Sequence, residues 1–232
     1  MFLDTYLAMT AAEFAGCDQL PPRMAWMACH FSSYGTGLCN FPPAIAEGSM
    51  VIVNDRTPIC GHNPELICQQ LTQLCQKQSG CAVLLDFQRP DSPELQQLAQ
   101  LLTRELSCPV GVSSIYAQGL DCPVFVPPPA PHHTLKQHLQ SWQGREIWLE
   151  AATGYWEVTI DASGMSLEEV PPFPPNDPCF YEASVHSQYC IYCQEDLICF
   201  RMWRSRQELE DLLADAVELG AKRSIGLYQQ LK

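Results

Sequence analysis

Short apolar runs alternate with amphipathic stretches along most of the chain. The runs are rich in aliphatic, β-branched and aromatic residues, and most lack the polar–apolar alternation of a strand with one solvated face. Short continuous runs of this kind are typical of strands that are buried on both faces. We predict eight such strands, over residues 24–31, 49–53, 81–87, 109–116, 122–126, 145–150, 197–203 and 224–228.

Several of the intervening stretches carry signals for the start of a helix. The dipeptides at 63–64 and 92–93 each supply an N-cap residue followed by a first-turn proline. Ser205 and Glu208 have the spacing of a capping box, in which each side chain bonds the other residue's backbone. We predict a helix after each of these signals, and a weaker helix over residues 132–142.

Strands that alternate with helices predict parallel pairing with right-handed crossovers. Eight strands in 232 residues favour a small, irregular (β/α)8 barrel, a TIM-like α/β fold, with residues 1–232 as a single domain. The connection over residues 151–196 is instead Pro-rich and β-leaning, and within this insert we predict antiparallel strands over 155–160 and 187–193. An open doubly wound α/β sheet is the alternative architecture.

The charge balance narrows the function classes. The chain carries 26 acidic residues against 13 Lys and Arg, a net charge of −13, so it has little with which to neutralise a nucleic-acid backbone. No apolar run approaches the roughly 18–20 residues of a membrane span. The N-terminus lacks the basic start of a signal peptide, and we expect a bacterial-type cytoplasmic location. The thirteen cysteines are then expected to be buried thiols rather than a disulfide framework.

Polar residues follow the predicted barrel strands, at the end where such barrels place their chemistry. Two neighbouring strands each end in an aspartate followed closely by an arginine. This combination can bind a polar or anionic ligand, or it can form a salt-bridge network that seals the barrel, and both interpretations stay open. Together with these pairs, the candidate site residues at the strand ends are Asp55, Arg56, Asp86, Gln88, Arg89, Tyr116, Glu150 and Tyr228.

The segment 80–90, GCAVLLDFQRP, resembles the fourth-strand signature of glycoside hydrolase family 18, which reads Asp-x-x-Asp-x-Asp-x-Glu. Asp86 occupies the place of the third aspartate, Phe87 that of an aromatic residue, and Gln88 that of the glutamate. Residues 216–228 are similar to the family's last helix and eighth strand. In our count, however, the strand that ends at Asp86 is the third of the barrel, whereas the family has its signature on the fourth.

The resemblance implies an N-acetylhexosamine-type carbohydrate ligand. In that family the glutamate protonates the leaving oxygen, and the last aspartate orients the substrate's acetamide group. Gln88 cannot act as the general acid, because an amide has no proton of suitable pKa. The first two aspartates of the signature are also missing, since Cys81 and Leu84 stand in their places. The resemblance therefore implies a barrel that binds carbohydrate without hydrolysing it.

Each predicted ligand-binding residue has a role under this interpretation. Asp86 accepts a hydrogen bond from an amide or hydroxyl of the ligand, and Gln88 bonds the glycosidic region. Tyr228 or Trp26 stacks on a sugar ring, Tyr228 standing where the family usually has a tryptophan.

Two other functions remain open. The first is an active glycosidase-type hydrolase in which Glu150 is the acid and Asp86 the base or orienting group. The second is a scaffold protein without a small-molecule site. We expect no cofactor and no metal, because Cys190 and Cys193, although spaced like a zinc pair, lie in a strand-like run where residues three apart point to opposite faces. The sequence does not indicate an oligomeric state.

Overall fold

Eight parallel strands close into a barrel in the computed structural model. The structure describes residues 3–33, 36–43, 46–59, 61–77, 80–129, 133–161, 164–173, 178–194 and 197–232. In chain order its strands are β1 (Asp4–Met9), β2 (Met24–Phe31), β3 (Leu38–Cys39), β4 (Met50–Asn54), β5 (Ala82–Asp86), β6 (Val110–Ser113), β7 (Val124–Val126), β8 (Ile147–Glu150), β9 (Tyr155–Asp161), β10 (Gly164–Glu169), β11 (Cys179–Glu182), β12 (Ser187–Gln194), β13 (Leu197–Trp203) and β14 (Ala221–Leu227).

The order of strands around the barrel confirms the predicted TIM-like fold. Neighbours follow the order β1-β14-β8-β7-β6-β5-β4-β2, and β1 also pairs in parallel with β2, which closes the ring. An open doubly wound sheet would leave two edge strands, whereas here each of these eight strands has a neighbour on both sides. The two-residue strand β3 lies antiparallel beside β2.

Two strand assignments made from the sequence need correction. Barrel strand β1, Asp4–Met9, is absent from the prediction, whereas the predicted barrel strand 197–203 is β13, which lies outside the barrel. β13 pairs antiparallel with β9 and β12, and an apolar run alone does not indicate which sheet a strand joins. With β1 counted, β5 becomes the fourth barrel strand. Asp86 therefore ends the strand on which the family signature lies.

The segment between β8 and the last long helix forms a second, antiparallel sheet, which we call the insert sheet. Its five strands follow the order β10-β9-β13-β12-β11. The strands predicted over 155–160 and 187–193 are β9 and β12, as expected. Val158, Val185 and Met202 are buried together within the insert. The β-leaning composition of this region is thus explained by a sheet of its own.

The helices begin at the signals that the sequence carries. The Ser92 hydroxyl accepts the backbone N–H of Leu95, and Ser205 and Glu208 form a capping box. The helix predicted over 132–142 appears as Leu135–Gln140, and residue 132 lies outside the described residues. The helices are α1 (Ala11–Ala15), α2 (Pro64–Lys77), α3 (Pro93–Glu105), α4 (Ser114–Ala117), α5 (Leu135–Gln140), α6 (Arg206–Glu218) and α7 (Tyr228–Leu231). Within the described ranges, none of them has the length and apolarity that a bilayer crossing requires.

Alternate residues along the barrel strands pack into two apolar layers. The outward layer joins the strands to helices α2, α3 and α6, whereas the inward layer consists of strand residues alone. Trp148 is fully buried in the inward layer, and a Cβ atom at position 111 of β6 would overlap its ring. Gly111 therefore makes room for Trp148. The barrel interior is filled by side chains below the level of the strand ends.

Candidate functional site

A cavity of about 580 Å³ lies at the carboxyl ends of the barrel strands, between the barrel and the insert sheet. This is the end at which TIM barrels place their active sites, and the volume lies in the range of small-molecule sites. The barrel contributes strand-end polar side chains above an apolar floor, and the insert contributes an aromatic ring and a cation. Residues that line the cavity include Met27, Asn54, Asp86, Glu150, Trp156 and Arg204.

Asp86 stands at the end of β5 and faces this cavity. Burial raises the pKa of its carboxyl group, a hydrogen bond from Gln88 opposes that rise, and the charge of Asp55 adds to it. The Gln88 side-chain amide donates this bond to Asp86 Oδ1. Gln88 itself is exposed and does not line the cavity. Of Asp86 and Gln88, Asp86 is therefore the one that a ligand in the cavity would meet.

Glu150 ends β8 and is the second carboxyl group of the cavity. Burial raises its pKa to about 7, and the negative charges of Asp86 and Glu169 contribute to the rise. A carboxyl group with this pKa is about half protonated at neutral pH, so it can donate a hydrogen bond or a proton. Asp86 and Glu150 are thus the predicted pair, and the structure brings them to one cavity.

Asn54 shapes the cavity wall through the backbone of β2. Its side-chain amide donates to the carbonyl oxygens of Met27 and Cys29, at 3.1 and 3.0 Å, where the pairing of β2 with β4 shifts register. Such an irregularity re-aims side chains, and Met27 lines the cavity. Neither Asn54 nor Met27 was among the predicted site residues. A polar residue directly after a fully buried strand is the signal that could have indicated Asn54.

Asp55 holds the loop after β5 instead of lining the cavity. Its two carboxylate oxygens accept the backbone N–H groups of Gln88 at 3.0 Å and Arg89 at 2.8 Å. The Arg89 guanidinium in turn donates to the backbone carbonyl of Asp55 at 3.2 Å. The hydrogen bonds of Asp55 and Arg89 thus favour a role in holding the loop after β5 over a role in direct ligand binding. Arg56 is exposed and does line the cavity.

Trp26 and Tyr116 lie away from the cavity, so the ligand-binding roles expected of them need correction. Trp26 is 4% exposed, and its indole N–H donates to the backbone oxygen of Asn40 at 2.7 Å. Tyr116 is also 4% exposed, and its hydroxyl donates to the backbone oxygen of Arg89 and accepts the backbone N–H of Ser92. Both rings are held in the outer apolar layer, where no sugar ring can reach them.

Tyr228, the other predicted stacking residue, begins α7 and does not line the cavity either. Its hydroxyl lies 3.7 Å from Cys17 Sγ, and the Lys232 ammonium lies 5.3 Å from the centre of its ring. The following turn nevertheless borders the cavity through Gln230, whose side-chain oxygen accepts the backbone N–H of Thr153. The turn after the eighth barrel strand therefore contributes the Gln230 amide to the cavity wall rather than the Tyr228 ring.

An aromatic ring of the insert, that of Trp156 on strand β9, does line the cavity. The Arg204 guanidinium lies 5.5 Å from the centre of the Trp156 ring. Gly154 makes this placement feasible, since a Cβ atom there would approach the ring to 3.2 Å. Neither Trp156 nor Arg204 was among the predicted site residues. A tryptophan soon after a barrel strand and two residues after a glycine is the signal that could have indicated Trp156.

Arg204 is 5% exposed and anchors the insert to the barrel mouth. Its guanidinium donates to the backbone oxygens of His186 at 3.1 Å, Ala152 at 3.3 Å and Val185 at 2.9 Å, and to the Ser187 hydroxyl at 2.8 Å. Burial lowers its pKa to about 10, so the group stays cationic at neutral pH. These bonds fix the guanidinium and, through it, the Trp156 ring.

The structure shows no metal centre in the part of the chain that it describes: no group of three or more His, Cys, Asp or Glu residues there could hold an ion. Cys190 and Cys193 belong to β12, where Cys190 is buried and Cys193 is exposed. The two thiols therefore do not face one another as a zinc pair would.

Comparison with known proteins places the barrel among glycoside-hydrolase-like folds. No family model matches the chain, and no curated protein is similar to it in sequence. Among solved structures, it resembles the spore cortex-lytic enzyme SleL of Bacillus cereus, with a TM-score of 0.58, 11% identity and coverage of 99% of this chain and 71% of that one. The resemblance drawn from residues 80–90 to glycoside hydrolase family 18 is confirmed at the level of the fold.

Two further solved structures have the same fold. A chitinase-like agglutinin from Robinia pseudoacacia superposes with a TM-score of 0.59 and 9% identity, over 98% of this chain and 95% of that one. A class V chitinase from Nicotiana tobaccum, crystallised as a Glu-to-Gln variant in complex with NAG4, superposes with a TM-score of 0.59 and 9% identity, over 98% and 94%.

Proposed function

We propose that this protein binds an N-acetylhexosamine-type oligosaccharide at the barrel mouth and does not hydrolyse it by the acid mechanism of the family it resembles. The observation that carries the proposal is the pairing of the Gln88 amide with the Asp86 carboxyl group at the end of β5. The glutamine stands where the resemblance places the proton donor, and it cannot supply a proton.

The chemistry of the cavity suits a saccharide. Sugars bind through the flat apolar face of a pyranose ring and through hydroxyl groups that need hydrogen-bond partners. Trp156 offers an aromatic face, and Asp86 and Glu150 offer oxygen atoms. Met27 and Leu84 provide an apolar surface against which an acetamide methyl group can pack.

The solved relatives of this fold support the proposal by analogy. One is named a chitinase-like agglutinin, and another holds NAG4 after a glutamate has been replaced by glutamine. In the present chain Gln88 stands where the resemblance places the glutamate of the signature. Binding without turnover is the behaviour that such a site supports best.

Isothermal titration with the tetramer of β-1,4-linked N-acetylglucosamine tests the proposal, with the tetramer of β-1,4-linked glucose as a control ligand that lacks acetamide groups. We expect saturable heat with the acetamido sugar and little with the glucose tetramer. Asp86→Ala should abolish the heat, whereas Asp121→Ala, an exposed carboxylate before β7, should leave it unchanged. No heat at millimolar acetamido sugar would contradict the proposal and leave the scaffold role.

A second function, glycoside hydrolysis with Glu150 as the acid and Asp86 as the base or orienting group, is favoured by one observation. Burial holds the pKa of Glu150 at about 7, which suits a general acid at neutral pH. Hydrolysis of a fluorogenic aryl N-acetylglucosaminide decides between the two functions. Turnover that disappears in Glu150→Gln would establish the hydrolase, whereas binding without turnover supports the proposal above.

A further inference from the structure

Three cysteines meet at the amino-terminal end of the barrel strands, opposite the cavity. Cys75 lies in the last turn of α2, Cys81 directly precedes β5, and Cys108 precedes β6. The sulfur atoms of Cys75 and Cys108 are 3.1 Å apart, and the Cys81 thiol also contacts Cys75. Cys81 is 3% exposed, whereas Cys75 and Cys108 are both only partly buried.

The placement follows from the way α2 packs on the barrel. Cys75 follows Ile67 and Leu71 on the buried stripe of the helix, at the spacing of successive turns. The chain then turns through Gly80 into β5, and its partner strand β6 begins just after Cys108. The same crossover geometry that closes the barrel therefore brings the end of α2 against the starts of two neighbouring strands.

We propose that Cys75 and Cys108 are a site of reversible oxidation and form a disulfide bond when the protein meets a thiol oxidant such as glutathione disulfide. A protein disulfide has its sulfur atoms about 2.05 Å apart, so the two sulfurs need to approach by only about 1 Å. Cys75 and Cys108 belong to segments that are held together by side-chain packing and not by β-sheet hydrogen bonds. The two sulfur atoms can therefore approach one another through a small shift of these segments.

The reaction balances with two molecules of glutathione as products. The Cys75 thiolate attacks one sulfur of glutathione disulfide, which gives a mixed disulfide and releases one glutathione thiolate. The Cys108 thiolate then attacks the Cys75 sulfur and displaces the second glutathione. The two protein thiols lose two electrons and two protons in total, and the glutathione disulfide gains them.

The surroundings of Cys75 make this reaction slow. The hydrogen bond from Cys108 lowers the pKa of Cys75, but the contact with Cys81 and burial raise it more, to about 12. The thiolate fraction of Cys75 at neutral pH is therefore small, and thiol–disulfide exchange at this residue is slow.

The bond would link α2 to the start of β6 across 33 residues that include β5 and α3. A link of this kind restricts the unfolded chain, and we expect the oxidised protein to melt ~5 °C or more above the reduced protein. Because the cysteines lie at the opposite end of the barrel from the cavity, oxidation should leave oligosaccharide binding unchanged. The proposal is thus independent of the function proposed above.

Peptide mapping of the intact protein tests the proposal directly. The reduced protein is incubated with glutathione disulfide, free thiols are blocked with N-ethylmaleimide, and the chain is digested with trypsin. Cleavage after Lys77 and Arg104 places Cys75, Cys81 and Cys108 on three different peptides. We expect a linked pair that contains Cys75 and Cys108, which disappears again after treatment with dithiothreitol.

The control is Cys68→Ser, which removes another thiol of α2 and should keep both the linked peptide and the rise in melting temperature. Cys75→Ser and Cys108→Ser should each abolish the linked peptide and the rise in melting temperature. Cys108→Ala replaces Cys108→Ser if the serine variant does not fold. A bond between Cys75 and Cys81, or no linked peptide after a day at millimolar glutathione disulfide, would overturn the proposal.

Discussion

The Gln88 side-chain amide donates a hydrogen bond to the Asp86 carboxyl group at the end of the fourth barrel strand. In the signature that this segment resembles, the position of Gln88 holds the proton-donating glutamate. Here the amide donates an N–H hydrogen bond but has no proton to transfer, so it stabilises an ionised Asp86 against the burial that raises the pKa of that carboxyl group. The hydrogen bond from Gln88 thus holds the Asp86 carboxyl group in place at the end of the strand.

Removal of this amide should weaken ligand binding. In Gln88→Ala the pKa of Asp86 should rise further, because the hydrogen bond that favours its charged form is lost. We expect the affinity for the acetamido tetramer to fall roughly tenfold at neutral pH. Titration calorimetry of Gln88→Ala checks this, with Gln229→Ala as an exposed control. Equal affinities for the two variants would show that Gln88 has no part in the site.

Glu150 should make the stability of the protein fall between about pH 4.5 and pH 7. Its pKa in the folded state is raised to about 7 from an ordinary 4.5, so the folded state holds the proton more tightly than the unfolded state does. The associated stability is complete below pH 4.5 and is lost as the pH rises to about 7, with an upper bound of about 3 kcal/mol.

Replacement of Glu150 by glutamine removes this titration. Urea unfolding of the wild type and Glu150→Gln at pH 4.5 and pH 8 measures the effect. We expect Glu150→Gln to gain stability relative to the wild type at pH 8 but not at pH 4.5. Glu105→Gln, the same substitution at an exposed position, is the matched control. A difference between Glu150→Gln and the wild type that is the same at both pH values would count against a raised pKa.

Trp156, not Tyr228, should carry the aromatic contact with the ligand. Of these two described residues, Trp156 lines the cavity and Tyr228 does not, and the Arg204 guanidinium lies over the Trp156 ring. Trp156→Ala should therefore lower affinity roughly five- to thirtyfold, since the apolar area that one aromatic face buries against a ring contributes about 1–2 kcal/mol. Tyr228→Ala should bind as the wild type does. Calorimetry on both variants separates the two roles, and a loss of binding in Tyr228→Ala alone would reverse the assignment.

Gly111 should not tolerate a side chain. A methyl group there would overlap the Trp148 ring inside the barrel, so Gly111→Ala should destabilise the protein by about 1–3 kcal/mol. The control is Gly16→Ala, where a Cβ atom would make only ordinary contacts, the nearest at 3.4 Å. The urea midpoints of the two variants measure the difference. A midpoint for Gly111→Ala equal to that of Gly16→Ala would mean that the interior has room to adjust.

The sequence by itself determined the local structure and the class of fold. Proline and cap residues positioned α2, α3 and α6, because a helix start is decided by side chains within three or four residues of it. Runs of buried residues placed seven of the eight barrel strands, and the order of strands and helices was enough to predict the barrel. The signature segment was also sufficient to place Asp86 and Gln88 at a strand end.

Only the tertiary structure decided which strands join which sheet and which side chains reach the cavity. β1 closes the barrel, whereas β13 belongs to the insert sheet, although both have the pattern of a partly apolar strand. The difference arises because the pairing partners of a strand are set by connections that lie far from it in sequence. Tyr116 and Trp156 are both aromatic residues near strand ends, yet one is buried against a loop and the other faces the cavity. That difference depends on packing between distant segments, which local patterns do not contain.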